Sequence, residues 1–235
     1  SSGIGRALAE QLLNRGDEVW GVARRAEKLE ELKKSSSGKL HTSVCDLEIP
    51  EQIDKVMAEM SKTSFMPDVV VLNAGEYIKD LEAGIDYENF KRSLRVNLKS
   101  GVYIITQLLP KFLERDKGTF IAVSSTSAYR PVKGSLGYSI TKAALTMAMR
   151  SLSMNLAHTN LKFSTVHFGP IKTRLWFGKD SGMVATPESA AEFITKIISK
   201  RSSNYFFPFF STTLLRLSLV LPDRLFTFIS SKILK

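Results

Sequence analysis

The sequence predicts an α/β fold, a doubly wound parallel sheet forming one domain. Three observations carry that expectation. Short, uniformly apolar runs alternate with segments of helical periodicity along the chain, as expected for strands buried on both faces of a parallel sheet. A length of 235 residues suits a single large α/β unit with a substantial core. No repeat, low-complexity tract or linker interrupts the alternation.

The elements follow in order. Ala7-Leu8-Ala9 and Leu12-Leu13 form an apolar face at helical spacing over 4–15, ending near Gly16. Val19, Trp20 and Val22 mark a strand at 18–23, and the loop Ser35-Ser36-Ser37-Gly38 precedes a third apolar segment at 40–44. A helix is expected at 50–60, and the strand at 68–72 stops at Asn73-Ala74-Gly75. One long helix over 87–114 carries Asn97. Then come a strand at 119–124, a helix at 137–158, a strand at 162–167 leading into Gly169-Pro170-Ile171-Lys172-Thr173, a helix at 187–200 and a strand at 205–207. Residues 1–204 are read as the domain proper and 205–235 as a basic, apolar extension of it.

Chemistry concentrates in Gly-Tyr-Ser-Ile-Thr-Lys-Ala-Ala, where Tyr138 and Lys142 stand four apart. On a helix these positions share a face, about 5–6 Å apart. Thirteen residues before Tyr138 an apolar run ends in Ser124-Ser125, so a serine hydroxyl at a strand end can approach the same reacting atom. The grouping suits proton transfer to or from a carbonyl or alcohol oxygen, with the lysine charge lowering the phenol pKa. At the chain's start, Ser1-Ser2-Gly3-Ile4-Gly5 opens a helix. Glycines there let backbone N–H groups approach a phosphate, which the helix dipole favours.

In this order and over almost the whole chain, these residues resemble the short-chain dehydrogenase/reductases, whose fold is Rossmann-like. Ser1, Ser2, Gly3, Ile4 and Gly5 resemble the end of that family's Thr-Gly-x-x-x-Gly-x-Gly phosphate loop, and Asn73, Ala74 and Gly75 its Asn-Asn-Ala-Gly element. Ser125, Tyr138 and Lys142 resemble its catalytic triad, and Asn97 the asparagine that completes a tetrad. Gly169, Ile171 and Thr173 resemble the element that holds the nicotinamide carboxamide, and Asp46, followed by Leu47, the aspartate that contacts adenine. The resemblance implies that Tyr138 is general acid/base, that Ser125 steadies the substrate oxygen, and that Lys142 binds the nicotinamide ribose. Asn97 would hold a water between Lys142 and solvent. Leu72 and Phe168 depart from the family's asparagine and proline. The match begins inside the phosphate loop, so the sequence is expected to be a fragment lacking the first strand and to bind cofactor poorly as it stands.

Charge selects the cofactor within that resemblance. A carboxylate after the second strand would hold an adenosine ribose hydroxyl and repel a 2′-phosphate; this chain has Ala23 followed by Arg24 and Arg25. Guanidinium forks suit a phosphate, so NADP is expected. The expected activity is hydride transfer between NADP(H) and a carbonyl or secondary alcohol, in the direction of carbonyl reduction. The apolar stretch from Arg174-Leu175-Trp176-Phe177 to Met183-Val184 suggests a hydrophobic substrate without separating a lipid, a steroid-like ring or a small ketone. A catalytically silent NADP-binding sensor or scaffold is the alternative.

Remaining expectations concern surroundings. Cys45, the single cysteine, excludes an intrachain disulfide, fits a reducing, cytoplasmic compartment and reads as an apolar filler. No metal site is expected, nor a nucleic-acid partner, since the +10 charge comes without basic-aromatic interleaving. A homodimer or homotetramer is expected. Residues 196–235 hold seven basic side chains against Asp223, six of the net +10, beside Phe206-Phe207, Phe209-Phe210, Leu214-Leu215 and Leu219-Val220-Leu221. That tail packs on the domain or a partner subunit, or rests on a membrane; Arg216 and Pro222 interrupt it too soon for a comfortable span.

Overall fold

The structure, a computed structural model, describes residues 1–36, 39–80, 84, 86–131, 134–176 and 184–233. Helix α1 (Gly3–Asn14) leads into β1 (Val19–Ala23), α2 (Ala26–Ser35), β2 (Leu40–Val44), α3 (Pro50–Lys62) and β3 (Val69–Leu72). Helices α4 (Tyr87–Leu94) and α5 (Ser100–Glu114) follow, then β4 (Gly118–Ser125), α6 (Leu136–Asn155), β5 (Leu161–Phe168), α7 (Pro187–Ile197) and β6 (Asn204–Phe207). Helices α8 (Phe209–Ser218) and α9 (Asp223–Ile233) close the chain.

Every strand pairing is parallel, as the alternation predicts. The strands form two groups, β1–β2 and β3–β4–β5–β6, with no hydrogen-bonded ladder joining β1 to β3 among the described residues. Period-two alternation sorts the larger sheet into two faces. Ile121 and Val123 of β4 pack with Val166, Ala7, Leu8, Ala190 and Ile194 beneath α1 and α7. Phe120 and Ala122 point the other way, onto Ile105, Phe112, Leu145 and Met149 of α5 and α6. Burying each such large side chain contributes about 1.5–3 kcal/mol. This sheet is therefore a rigid platform whose strand ends hold β4 and β5 side chains in place.

Two elements differ from the sequence reading. Helix α2 was not expected, because Ala-Glu-Lys-Leu-Glu-Glu-Leu-Lys-Lys-Ser offers only Leu29 and Leu32 as apolar anchors; both are buried, one turn apart. The helix expected over 87–114 is interrupted by a π-helical turn at Arg95–Lys99, which holds Asn97 inward. Such single turns recur at functional sites. Cys45 is the expected filler, fully buried against Ile53 and Val56, with burial raising its thiol pKa to about 11. Gly38 and Ser37 of the loop before β2, and Phe177 to Met183 of the apolar stretch, lie outside the described residues.

Candidate active site

Strand β4 ends in two serines with different tasks. Ser124 Oγ donates to Lys142 O at 3.1 Å and shares a 3.0 Å hydrogen bond with Thr146 Oγ1, tying the sheet to α6. Ser125, one residue on, lies close enough to Tyr138 for its hydroxyl to lower the phenol pKa. Its Oγ also accepts from Ser127 N at 3.2 Å and Ser127 Oγ at 2.7 Å. Ser127, two residues after the strand, went unrecognised in the sequence; a hydroxyl at i+2 of a strand-end serine is the signal that could have found it.

Lys142 lies beneath Tyr138, its Nζ 5.7 Å from the ring centroid, as the i, i+4 spacing predicts. It is 2% exposed, and its Nζ donates to Val123 O at 2.8 Å. Burial lowers its pKa from the usual 10.5 to about 8. Tyr138 differs from expectation: burial raises its phenol pKa, the Ser125 hydroxyl opposes that, and the neighbouring Tyr77 adds to it. Desolvation of the phenolate is the largest of these causes. Tyr77 meets Tyr138 edge-on at 5.4 Å and donates to Gly134 O at 2.9 Å, making a second wall for the ring.

Asn97 is buried, and its amide clasps one residue. Oδ1 accepts from Glu76 N at 2.7 Å while Nδ2 donates to Glu76 O at 2.9 Å and to Thr141 Oγ1 at 3.2 Å. The clasp fixes the turn Asn73-Ala74-Gly75 above Lys142. A Cβ on Gly75 would lie 3.1 Å from Lys142 Nζ and 3.4 Å from Asn97 Oδ1, so only glycine leaves that close approach unstrained.

The phosphate-loop residues converge on the same cleft. Gly3 has φ +52°, and a Cβ there would lie 3.3 Å from Thr173 Cγ2; a Cβ on Gly5 would come within 2.5 Å of Asn73 Nδ2. Residues far apart in sequence thus meet around the start of α1. Its N-cap, Ser2, makes no side-chain cap hydrogen bond, leaving the first-turn N–H groups for an anion. Arg25 instead donates to Ser2 Oγ at 2.7 Å and to Ser1 Oγ at 3.1 Å, placing a cation at that helix start. Arg24 Nη1 stands 3.8 Å from both Asp46 Oδ2 and Glu48 Oε1. Asp46 Oδ1 accepts from Glu48 N at 3.1 Å, and Leu47 packs in the Cys45 cluster. A chain of charge that sequence reasoning missed then runs from Arg24 and Asp46 to Glu76, the residue that Asn97 holds. Arg95 Nε lies 3.1 Å from Glu48, and Arg92 Nε lies 3.6 Å from Glu48 and 2.9 Å from Glu76. The glycine cradle, open helix start and nearby arginines fit a phosphate-bearing dinucleotide.

Across the cleft, Ile171 is buried beside the Gly169 turn, where Gly169 N donates to Phe207 O at 2.8 Å. One continuous cavity of about 1930 Å³ joins Gly3, Arg25 and Asp46 to Ser125, Tyr138 and Lys142. It also runs between β1 and β3 and out past Trp176, Leu215, Ser218 and Phe226. Arg130, unnoticed in the sequence, anchors that far end. It is 7% exposed, pairs with Asp223, donates through Nη2 to Ser218 O at 2.8 Å and Leu221 O at 2.6 Å, and stacks 4.7 Å from the Phe226 ring.

The family model for short chain dehydrogenases matches residues 1–182. An uncharacterized oxidoreductase of Myxococcus xanthus is 27% identical over 232 residues, 96% of this chain and 91% of that protein. A crystal structure of a short-chain dehydrogenase from Streptomyces avermitilis superposes with TM-score 0.84 at 24% identity, covering 99% of this chain and 94% of that one. L-sorbose reductase from Gluconobacter frateurii, solved with NADPH and L-sorbose, has TM-score 0.78 at 26% identity over 87% of this chain and 90% of its own. With the motif residues gathered around one cleft, the chain belongs to the short-chain dehydrogenase family and is an oxidoreductase of that family.

Proposed function

We propose that the protein reduces an apolar ketone or aldehyde, or oxidises the matching alcohol, with NADP(H) as cofactor. The carrying observation is Ser125 and Tyr138 lining one cleft, with Lys142 Nζ 5.7 Å from the Tyr138 ring, in the cavity that the Gly3–Gly5 turn opens. NADPH would supply a hydride to the carbonyl carbon. Tyr138 would give its hydroxyl proton to the carbonyl oxygen, Ser125 would hold that oxygen by a hydrogen bond, and solvent would reprotonate the phenolate. Lys142, fixed by Val123 O, would hold ribose hydroxyls and stabilise the tyrosinate as it forms. Asn97 would serve by holding the Glu76 turn. Arg25 and Arg24 would bind the 2′-phosphate of NADP, a reading that agrees with NADPH in the related sorbose reductase.

Burial raises the phenol pKa, so the resting hydroxyl is the proton-donating form that reduction would use. Activity is tested by following NADPH absorbance with small and long-chain ketones and aldehydes. Replacement of Tyr138 by Phe is expected to lower turnover about 10²- to 10⁴-fold, the usual worth of a positioned acid, with NADPH affinity nearly unchanged. Equal turnover in the variant would refute the assignment; NADPH binding with no tyrosine-dependent reaction in either direction would favour the silent sensor or scaffold.

A further inference from the structure

The C-terminal helices present two surfaces with one origin. On the inner side Thr212 is buried, and Ser211, Leu215 and Ser218 face the cavity that reaches Tyr138. On the outer side Phe209, Phe210 and Val220 are 79%, 70% and 85% exposed. Leu214 and Leu217 belong to both, being exposed and lining the cavity, so the apolar patch is continuous with the cavity mouth. Phe210, Leu214 and Leu217 fall at i, i+4 and i+7 of α8 and so form one stripe. Soluble monomers rarely expose such a contiguous patch without using it.

Charge says what the patch meets. Arg216 follows Phe209 by seven residues on the same helix, its guanidinium 4.4 Å over the Phe206 ring, and the chain from 196 onward carries six of the net +10. Arg224 is exposed in the first turn of α9. An apolar stripe flanked by cations complements an anionic lipid surface, where rings enter the headgroup boundary and guanidinium groups meet phosphates. Among the described residues no helix is long and apolar enough to cross a membrane, so the contact is peripheral. Arg130 makes the surface rigid: through Asp223, Ser218 O and Leu221 O it fastens the α8–α9 turn to the loop that begins at Ser125.

We propose that α8 and the α8–α9 turn rest on an anionic bilayer with the cavity mouth turned toward it, and that the substrate is a bilayer-dissolved apolar carbonyl or alcohol entering between Leu214 and Leu217. The substrate half rests on the reductase reading; the surface half does not.

The test uses the full chain with phosphatidylcholine vesicles, with and without phosphatidylglycerol, against the triple variant Phe209→Ser, Phe210→Ser, Val220→Ser, whose positions do not line the cavity. Wild type is expected to co-sediment at least about tenfold more with anionic than with neutral vesicles and to be released by about 0.5 M salt. The variant is expected to lose vesicle binding while keeping its solution mass and its turnover of a water-soluble ketone, with turnover of a vesicle-borne long-chain ketone falling about tenfold. No preference for anionic vesicles overturns the proposal. A variant that changes solution mass, with neither protein binding vesicles, overturns it in favour of an interface between two copies of this chain. Vesicle binding lost in the variant but accompanied by no NADPH oxidation upholds the surface and removes the reductase reading instead.

Discussion

The two sheets handle polar groups in opposite ways. In β3–β6 the site's polar atoms are buried and matched: Ser124 to Lys142 O and Thr146, Lys142 Nζ to Val123 O, Asn97 to both sides of Glu76. In β1–β2 every residue from Val19 to Ala23 is half-buried, and Arg24, Arg25 and Asp46, the side chains proposed to meet the cofactor, sit in loose or partly exposed contacts. Groups that must meet a reacting atom are held by a dry platform that leaves them little freedom. Groups that only recognise charge can remain in solvent, where exchanging them costs little stability.

Substitutions on each side should therefore fail differently. On the proposed mechanism Ser125→Ala would remove a hydrogen bond to the reacting oxygen and is expected to lower turnover about 10²- to 10³-fold with little change in NADPH affinity, read by steady-state and binding titration together; a loss confined to affinity would erase the contrast. Arg25→Glu should weaken NADPH binding about 10- to 100-fold and leave NADH binding equal or better, as loss of a charge-assisted hydrogen bond predicts. An unchanged preference would move phosphate selection to Arg24. Gly5→Val drives a side chain against Asn73 and is expected to cost about tenfold in cofactor affinity, measured by fluorescence titration, with turnover at saturating NADPH largely kept.

The smallest effect is a pH dependence. Below about pH 8 Lys142 is protonated in folded and unfolded chains alike, and its burial penalty is constant. Between about 8 and 10.5 the unfolded chain holds the extra proton, so this contribution to stability improves as pH rises. The melting temperature of wild type minus that of Lys142→Met should climb across that window and stay flat below it. A flat difference throughout would mean that the ammonium is better solvated than its burial indicates.

The legible parts of the sequence were those where local pattern and tertiary role coincide. The ends of the strands expected at 68–72, 119–124 and 162–167 were readable to within one residue because each apolar run gives way to polar or glycine residues, and Tyr138 and Lys142 because helical spacing alone places them together. Helix α2 was hidden by a polar composition that packing overrides. The π turn was invisible because hydrophobic periodicity continues through it, although the inward side chain of Asn97 depends on it. Arg130 could not be found because its partners lie 88 to 93 residues onward. The raised phenol pKa escaped because desolvation is a property of the closed cleft, not of a four-residue interval.

Ser124 and Ser125 are chemically identical, and only position along β4 separates them. A slip of β4 by one residue against β3 and β5 would put Ser125 and Thr126, or Val123 and Ser124, in the two places that Ser124 and Ser125 now hold, while exchanging Phe120 and Ala122 for Ile121 and Val123 between the two cores. Turnover is thus a molecular ruler: a catalytically competent molecule has its central strand threaded to the correct residue, and an assay for activity doubles as an assay for alignment.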